Sequence, residues 1–242
     1  MCVPVGSLHT GSKVSTSSEQ SKFRALPAPK FWWLYAGASA VAGVLIGLIG
    51  QLAPNTLDFQ FQIDQWLNAN GNAALDHIAA IAGEVYSPKF AISITIATSL
   101  LVWVITKSRI DALAISVITA FGWLPAEAFK LLIDEGRPDQ SLLARMVVAP
   151  ETDNAFPSGH TCFAIAFGYA LFLLFRNTSF KSLVLTLWIA SVVLMAWARL
   201  YSGVHYLTDV VGSGFASLTG LLLVGFLWNR FVNERVSVTS RG

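Results

Sequence analysis

Six residues in an otherwise apolar chain have types and spacings that could do chemistry: Lys130, Arg137, His160, Arg199, His205 and Asp209. His205 and Asp209 are four apart. On a helix they share a face, so the carboxylate can hold one ring nitrogen and leave the other as a nucleophile. His160 stands apart and could protonate a leaving oxygen. Arg137 and Arg199 offer planar forks suited to phosphate oxygens, and Lys130 a point charge. Ser158-Gly159-His160 opens an apolar stretch. A helix starting there would aim free N–H groups and a positive dipole end at an anion. Ser158 fits the N-cap, and Gly159 allows close backbone approach. The set suits a tetrahedral oxyanion, most simply a phosphate. Asp134, Glu135 and Asp139 lack a metal-ligand spacing. Lys89 and Arg145 read as interface side chains. Glu127, three residues before Lys130, could simply neutralise it.

These residues must be positioned by membrane helices. Of 242 residues, 54% are hydrophobic and 12% charged, against about 25% charged in a soluble domain. Mean hydropathy is +0.59. Such a composition excludes a disordered chain and leaves too little polar surface for a water-soluble globule. A net charge of +2 gives no reason to expect a nucleic-acid partner. Cys2 and Cys162 form no disulfide or metal pattern. Residues 1–30 are polar and aperiodic, and are expected to form a disordered tail. Apolar stretches follow at 31–53, 89–106, 112–133, 161–175, 182–198 and 207–228, each read as a span. Residues 54–88 alternate acidic with large apolar residues, as an interfacial helix would. The expected organisation is a tail (1–30), a six-span bundle (31–228) and a C-terminal tail (229–242), all-α throughout.

Charge gives an orientation. The tails and the loops at 107–111 and 176–181 hold 11 of the 16 Lys+Arg and three of the 14 Asp+Glu. Positive-inside bias then places both termini in the cytoplasm of a multi-pass plasma-membrane protein. At about 1.5 Å per residue, Asp111 to Lys130 is about 28 Å and Lys181 to Arg199 about 27 Å. Likewise, Arg176 back to His160 is about 24 Å and Arg230 back to Asp209 about 31 Å. Each approaches the roughly 30 Å of a hydrocarbon core. The candidate residues therefore converge at the outer face.

The same residues fall in three ordered motifs: KLLIDEGRP (Lys130 to Pro138), PSGH (Pro157 to His160) and ARLYSGVHYLTD (Ala198 to Asp209). Together they resemble the type 2 phosphatidic acid phosphatase superfamily, over about residues 54–228. The resemblance implies a metal-independent lipid phosphate phosphatase with no cofactor and a six-helix bundle. By it, His205 forms a phosphohistidine, Asp209 orients it and His160 is the leaving-group acid. Lys130, Arg137, Ser158, Gly159 and Arg199 would bind the phosphate. Ala198 stands where the family usually has Ser, and Leu207 where many members have Pro. The acidic Asp134-Glu135 before Gly136-Arg137 is unusual, and could tune headgroup preference or merely solvate the loop.

The expected function is hydrolysis of a lipid phosphate or diphosphate of the phosphatidic acid, phosphatidylglycerol phosphate or polyprenyl diphosphate class. Expected partners are that substrate and membrane lipids. One rival is a phosphotransferase passing the phosphoryl group to another alcohol. A second is a non-catalytic lipid-phosphate binder or transporter, which an intact His205–Asp209 pair argues against. Compact loops favour a bacterial source.

Overall fold

Prolines and short polar side chains set the helix starts. Pro54, Pro88 and Pro125 open α2 (Pro54–Ala69), α4 (Pro88–Thr106) and α6 (Pro125–Ile133), where a missing N–H costs nothing. The side chains of Asn72, Ser108 and Ser158 cap α3 (Ala73–Val85), α5 (Arg109–Trp123) and α7 (Gly159–Phe175) by accepting a backbone N–H three residues on. With α1 (Trp32–Leu52), α8 (Lys181–Tyr201) and α9 (Leu207–Thr239), the computed structural model is all-helical among the residues it describes, 21–23 and 25–239.

Five apolar stretches are long enough to cross a membrane: Trp32–Gly50, Pro88–Thr106, Arg109–Ile133, Lys181–Tyr201 and Leu207–Val232. The sixth, α7, has 17 residues and sits centrally. It is buried on all sides, through Cys162, Phe163, Ala166, Ala170 and Leu173 among others, as an interior helix must be. The outer helices turn Leu45, Ile96, Ile105, Leu187 and Val193 outward, a surface suited to lipid. The six expected stretches match these elements, and residues 54–88 form α2 and α3.

Two features differ from the sequence expectation. The third stretch is broken after Trp123, because Pro125 cannot donate to the carbonyl of Phe121. Gly220 of α9 packs directly on that carbonyl, where any Cβ would collide with it. Part of the stretch assigned above to the tail packs on the bundle through two residues. Phe23 and Leu26 are buried, Trp228 Nε1 donates to the Phe23 carbonyl at 2.8 Å, and Asn229 exchanges hydrogen bonds with the Leu26 backbone. Isolated apolar residues in a polar stretch carry no periodic signal, which is why this was missed. The rest of the tail expectation, residues 1–20 and 24, lies outside the described residues.

At the end of the bundle away from Phe23, a loop from Asp134 to Ser158 folds over the helix ends. It is pinned at three points. Asn68 of α2 donates to the Arg145 carbonyl and accepts from its N–H. Arg145 pairs with Asp76 of α3, which also accepts from Tyr201 of α8. Gln140 donates to the Ser202 carbonyl at 3.0 Å. Helices α2 and α3 therefore anchor the loop that carries Arg137, Glu151 and Asp153.

Candidate active site

Under this loop meet α3, the end of α6, the start of α7, the end of α8 and the turn that leads into α9. They enclose a cavity of about 460 Å³, walled in part by Lys130, Arg137, Gly159, His160, Arg199 and His205. Six of the eight residues singled out by sequence thus line one space. Asp209 stands behind His205, fully buried. Ser158 is also fully buried, and its hydroxyl accepts from the Thr161 N–H and hydroxyl. It is the cap of α7 and does not line the cavity. The Ser158 N–H donates to the Asp209 carbonyl, which ties the starts of α7 and α9 together. Ser213 reinforces the tie by donating to the carbonyls of both Ser158 and Asp209. The N–H groups of Gly159 and His160 follow at the first turn, where no intrahelical acceptor exists.

His205 is held from both sides. Nδ1 lies 3.0 Å from Asp209 Oδ2, and Nε2 lies 3.1 Å from an Arg137 guanidinium nitrogen. Arginine only donates, so Nε2 is the acceptor and Nδ1 carries the proton toward Asp209. Burial, with the positive charges of Arg137 and Arg199, holds the imidazole well below the ordinary histidine range. Both effects favour the neutral ring, whose Nε2 lone pair then faces the cavity wall. His160 is steadied by a hydrogen bond to the Gly83 carbonyl of α3.

Each cation has an acidic partner that sequence reasoning did not single out. Glu151 spans Arg137, at 2.7 Å, and Arg199. Asp153 spans Arg137, at 2.7 Å, and Lys130. Glu127, weighed above as a possible neutraliser of Lys130, is not its ion-pair partner; Asp153 is. Burial would raise the Asp153 pKa, but the Lys130 hydrogen bond and the Arg137 charge outweigh it and hold the carboxyl at about 2. Both carboxylates come from an irregular loop with no periodicity to announce them. Glu151, His160 and His205 also bring three ligand atoms within 4.8 Å of one another. Three cations share that space and oppose a divalent ion by like charge.

Glu135, left open above between tuning the headgroup preference and solvating the loop, does not face solvent. It is 3% exposed. Burial raises its carboxyl above the ordinary range, and Asp209 lies within hydrogen-bonding reach of it. Asp64 of α2, also fully buried, is pushed up to about 9 by burial.

The arrangement can bind a phosphate through exchangeable forks, attack it with a neutral imidazole and supply a second imidazole for proton transfer. Among known proteins, the chain is similar to membrane phosphatases. A model of the PAP2 superfamily matches residues 111–235. Undecaprenyl-diphosphatase BcrC of Bacillus subtilis (strain 168) is 27% identical over 162 residues, 66% of this chain and 76% of that one. YbjG of Escherichia coli (strain K12), named provisionally as an undecaprenyl-diphosphatase, is 27% identical over 133 residues, 55% of this chain. The match spans 65% of YbjG, just under two thirds of its length. A crystal structure of a transmembrane PAP2-type phosphatidylglycerolphosphate phosphatase from Bacillus subtilis superposes with a TM-score of 0.68. It covers 81% of this chain and 96% of that one at 19% identity, and so shares the fold.

Proposed function

The chain belongs to the PAP2 superfamily, and on that premise we propose that it hydrolyses a lipid phosphate or diphosphate through a phosphohistidine on His205. One observation carries the reading: His205, bonded through Nδ1 to Asp209, turns Nε2 toward a cavity walled by three cations and a second histidine.

Lys130, Arg137 and Arg199 pass from Glu151 and Asp153 to the phosphate oxygens, joined by the N–H groups of Gly159 and His160. Nε2 of His205 attacks phosphorus as the bond to the leaving oxygen breaks, and His160, protonated as the phosphate anion offsets the charges of Lys130, Arg137 and Arg199, gives that oxygen its proton. Asp209 holds Nδ1–H and stabilises the positive ring that forms. A water molecule then attacks the phosphohistidine and yields a proton to His160. The P–N bond breaks, its electron pair returns to Nε2, and orthophosphate leaves. Donors fixed in place before the reaction cost no reorganisation when charge develops.

Two relatives carry the name undecaprenyl-diphosphatase, which favours a polyprenyl diphosphate as substrate at the outer membrane face. Phosphate release in detergent with chelator present tests this over phosphatidic acid, phosphatidylglycerol phosphate, a polyprenyl diphosphate and a sphingoid phosphate. The polyprenyl diphosphate is expected to turn over fastest. A rate that ranks it last contradicts the substrate, and full activity in His205→Ala contradicts the mechanism.

A further inference from the structure

Behind His205, three buried oxygen atoms lack a hydrogen-bond partner among the described residues: Oδ1 of Asp209 and both carboxyl oxygens of Glu135. Yet the two side chains lie within hydrogen-bonding reach of each other. The two facts fit together through one proton. As carboxylates both groups only accept, so neither can bond to the other. With one proton between them, a neutral carboxyl donates to a carboxylate, and Oδ1 of Asp209 and one oxygen of Glu135 are satisfied. Two like charges in a dry site cannot both persist, which makes the shared proton the favourable state.

The proton belongs on Glu135. Oδ2 of Asp209 already accepts from His205 Nδ1 at 3.0 Å and from the Tyr206 backbone N–H at 2.9 Å. Two N–H donors place the negative charge on Asp209. Glu135 has no such donors, and it packs against α1, where a Cβ on Gly50 would collide with Oε2. The other titratable groups facing this pocket supply no cation to Glu135. Asp64 on α2 is held neutral by burial, and the Tyr206 hydroxyl is pushed up to about 12 by burial and the surrounding acidic groups. Arg137 directs its nitrogens to Val204, His205, Glu151 and Asp153.

We propose that Glu135 is a positioning residue: as a neutral acid it donates a hydrogen bond to Asp209 Oδ1 and so fixes the carboxylate that orients His205. The inference rests on the phosphohistidine reading and extends it by one residue. Its sequence position, two before Arg137 in the first motif, ties the loop that carries the phosphate fork to the carboxylate behind the nucleophile.

The test compares wild type, Glu135→Gln and Glu135→Ala, purified in detergent, by steady-state kinetics and infrared spectroscopy. Gln keeps a neutral N–H donor, so Glu135→Gln should hold kcat within about twofold, whereas Glu135→Ala should lose about tenfold or more in kcat with little change in KM. A role confined to packing would lower Tm in the Ala variant and leave the kcat of the folded fraction unchanged. At neutral pH the wild type should show a protonated-carboxyl C=O band that disappears in Glu135→Gln, with Asp64 present in both. The inference is overturned if no band is lost, if Glu135→Gln is as slow as Glu135→Ala, or if Glu135→Ala keeps the wild-type kcat. If Glu135→Ala does not fold, the Gln variant and the infrared band decide alone. Should wild-type enzyme form no phosphohistidine, the mechanism falls separately, because the band reports the hydrogen bond without turnover.

Discussion

Arg137 places a guanidinium nitrogen 3.1 Å from Nε2 of His205 while Asp209 takes the opposite ring nitrogen at 3.0 Å. The residue that would grip the phosphate therefore also favours an unprotonated Nε2 on His205, the proposed nucleophile. Binding and activation are coupled through one side chain. The same guanidinium reaches the Val204 carbonyl at 2.7 Å and Asp153, so it is braced before any phosphate arrives.

Asp209→Asn tests the tautomer. An amide can present an N–H to Nδ1, which would drive the ring proton to Nε2 and remove the lone pair from the cavity. We expect kcat to fall by about a thousandfold or more with the fold intact, the scale seen when a triad carboxylate is made an amide. A loss of less than tenfold would show that Asp209 does not select the tautomer.

The protonation of His205 gives a pH prediction. Its folded pKa is depressed, by burial first and then by Arg137 and Arg199. In the unfolded chain the ring titrates near the ordinary value of about 6.5. Below that pH the unfolded state takes up a proton that the folded state refuses, so stability falls as pH drops. Imidazole ¹⁵N resonances of His205, assigned against His205→Gln, should keep neutral-ring positions down through about pH 6.5. A midpoint at or above that value would contradict the depressed pKa. The Gln variant should also lose less stability than wild type on acidification.

Orientation has its own test. In a protein lacking its native cysteines, a cysteine at Met146, exposed in the loop over the cavity, should react with an impermeant thiol reagent added to intact cells. One at Ser179, exposed in the turn before α8, should react only after lysis. The reverse pattern would place the site on the cytoplasmic side.

Much of this was legible in the sequence because the bilayer imposes length. Six apolar stretches, bounded by polar residues about 30 Å apart, already brought Lys130, His160, Arg199 and Asp209 to one level. The His205–Asp209 contact followed from helical spacing, whereas the break at Pro125 went unread inside an apolar stretch of spanning length. What stayed hidden depended on tertiary contact. Asp134-Glu135-Gly136 looks like a solvated turn, yet Asp134 takes a left-handed conformation (φ 48°) and the next residue points inward to Asp209. Glu151 and Asp153 lie in an irregular loop, and only its folding back under Asn68, Asp76 and Ser202 brings them to the arginines. Phe23 packs beside Trp228, more than two hundred residues away, a contact that no local pattern encodes.

The central claim is that the phosphoryl group rests on His205, and trapping it is the most direct measurement. Enzyme quenched in base during turnover of a polyprenyl diphosphate, then digested and analysed by mass spectrometry, should yield a phosphorylated peptide carrying His205. The modification should be stable in base, lost in acid and absent from His205→Ala. Sustained phosphate release with no phosphohistidine, or with the phosphoryl group on another residue, would contradict it.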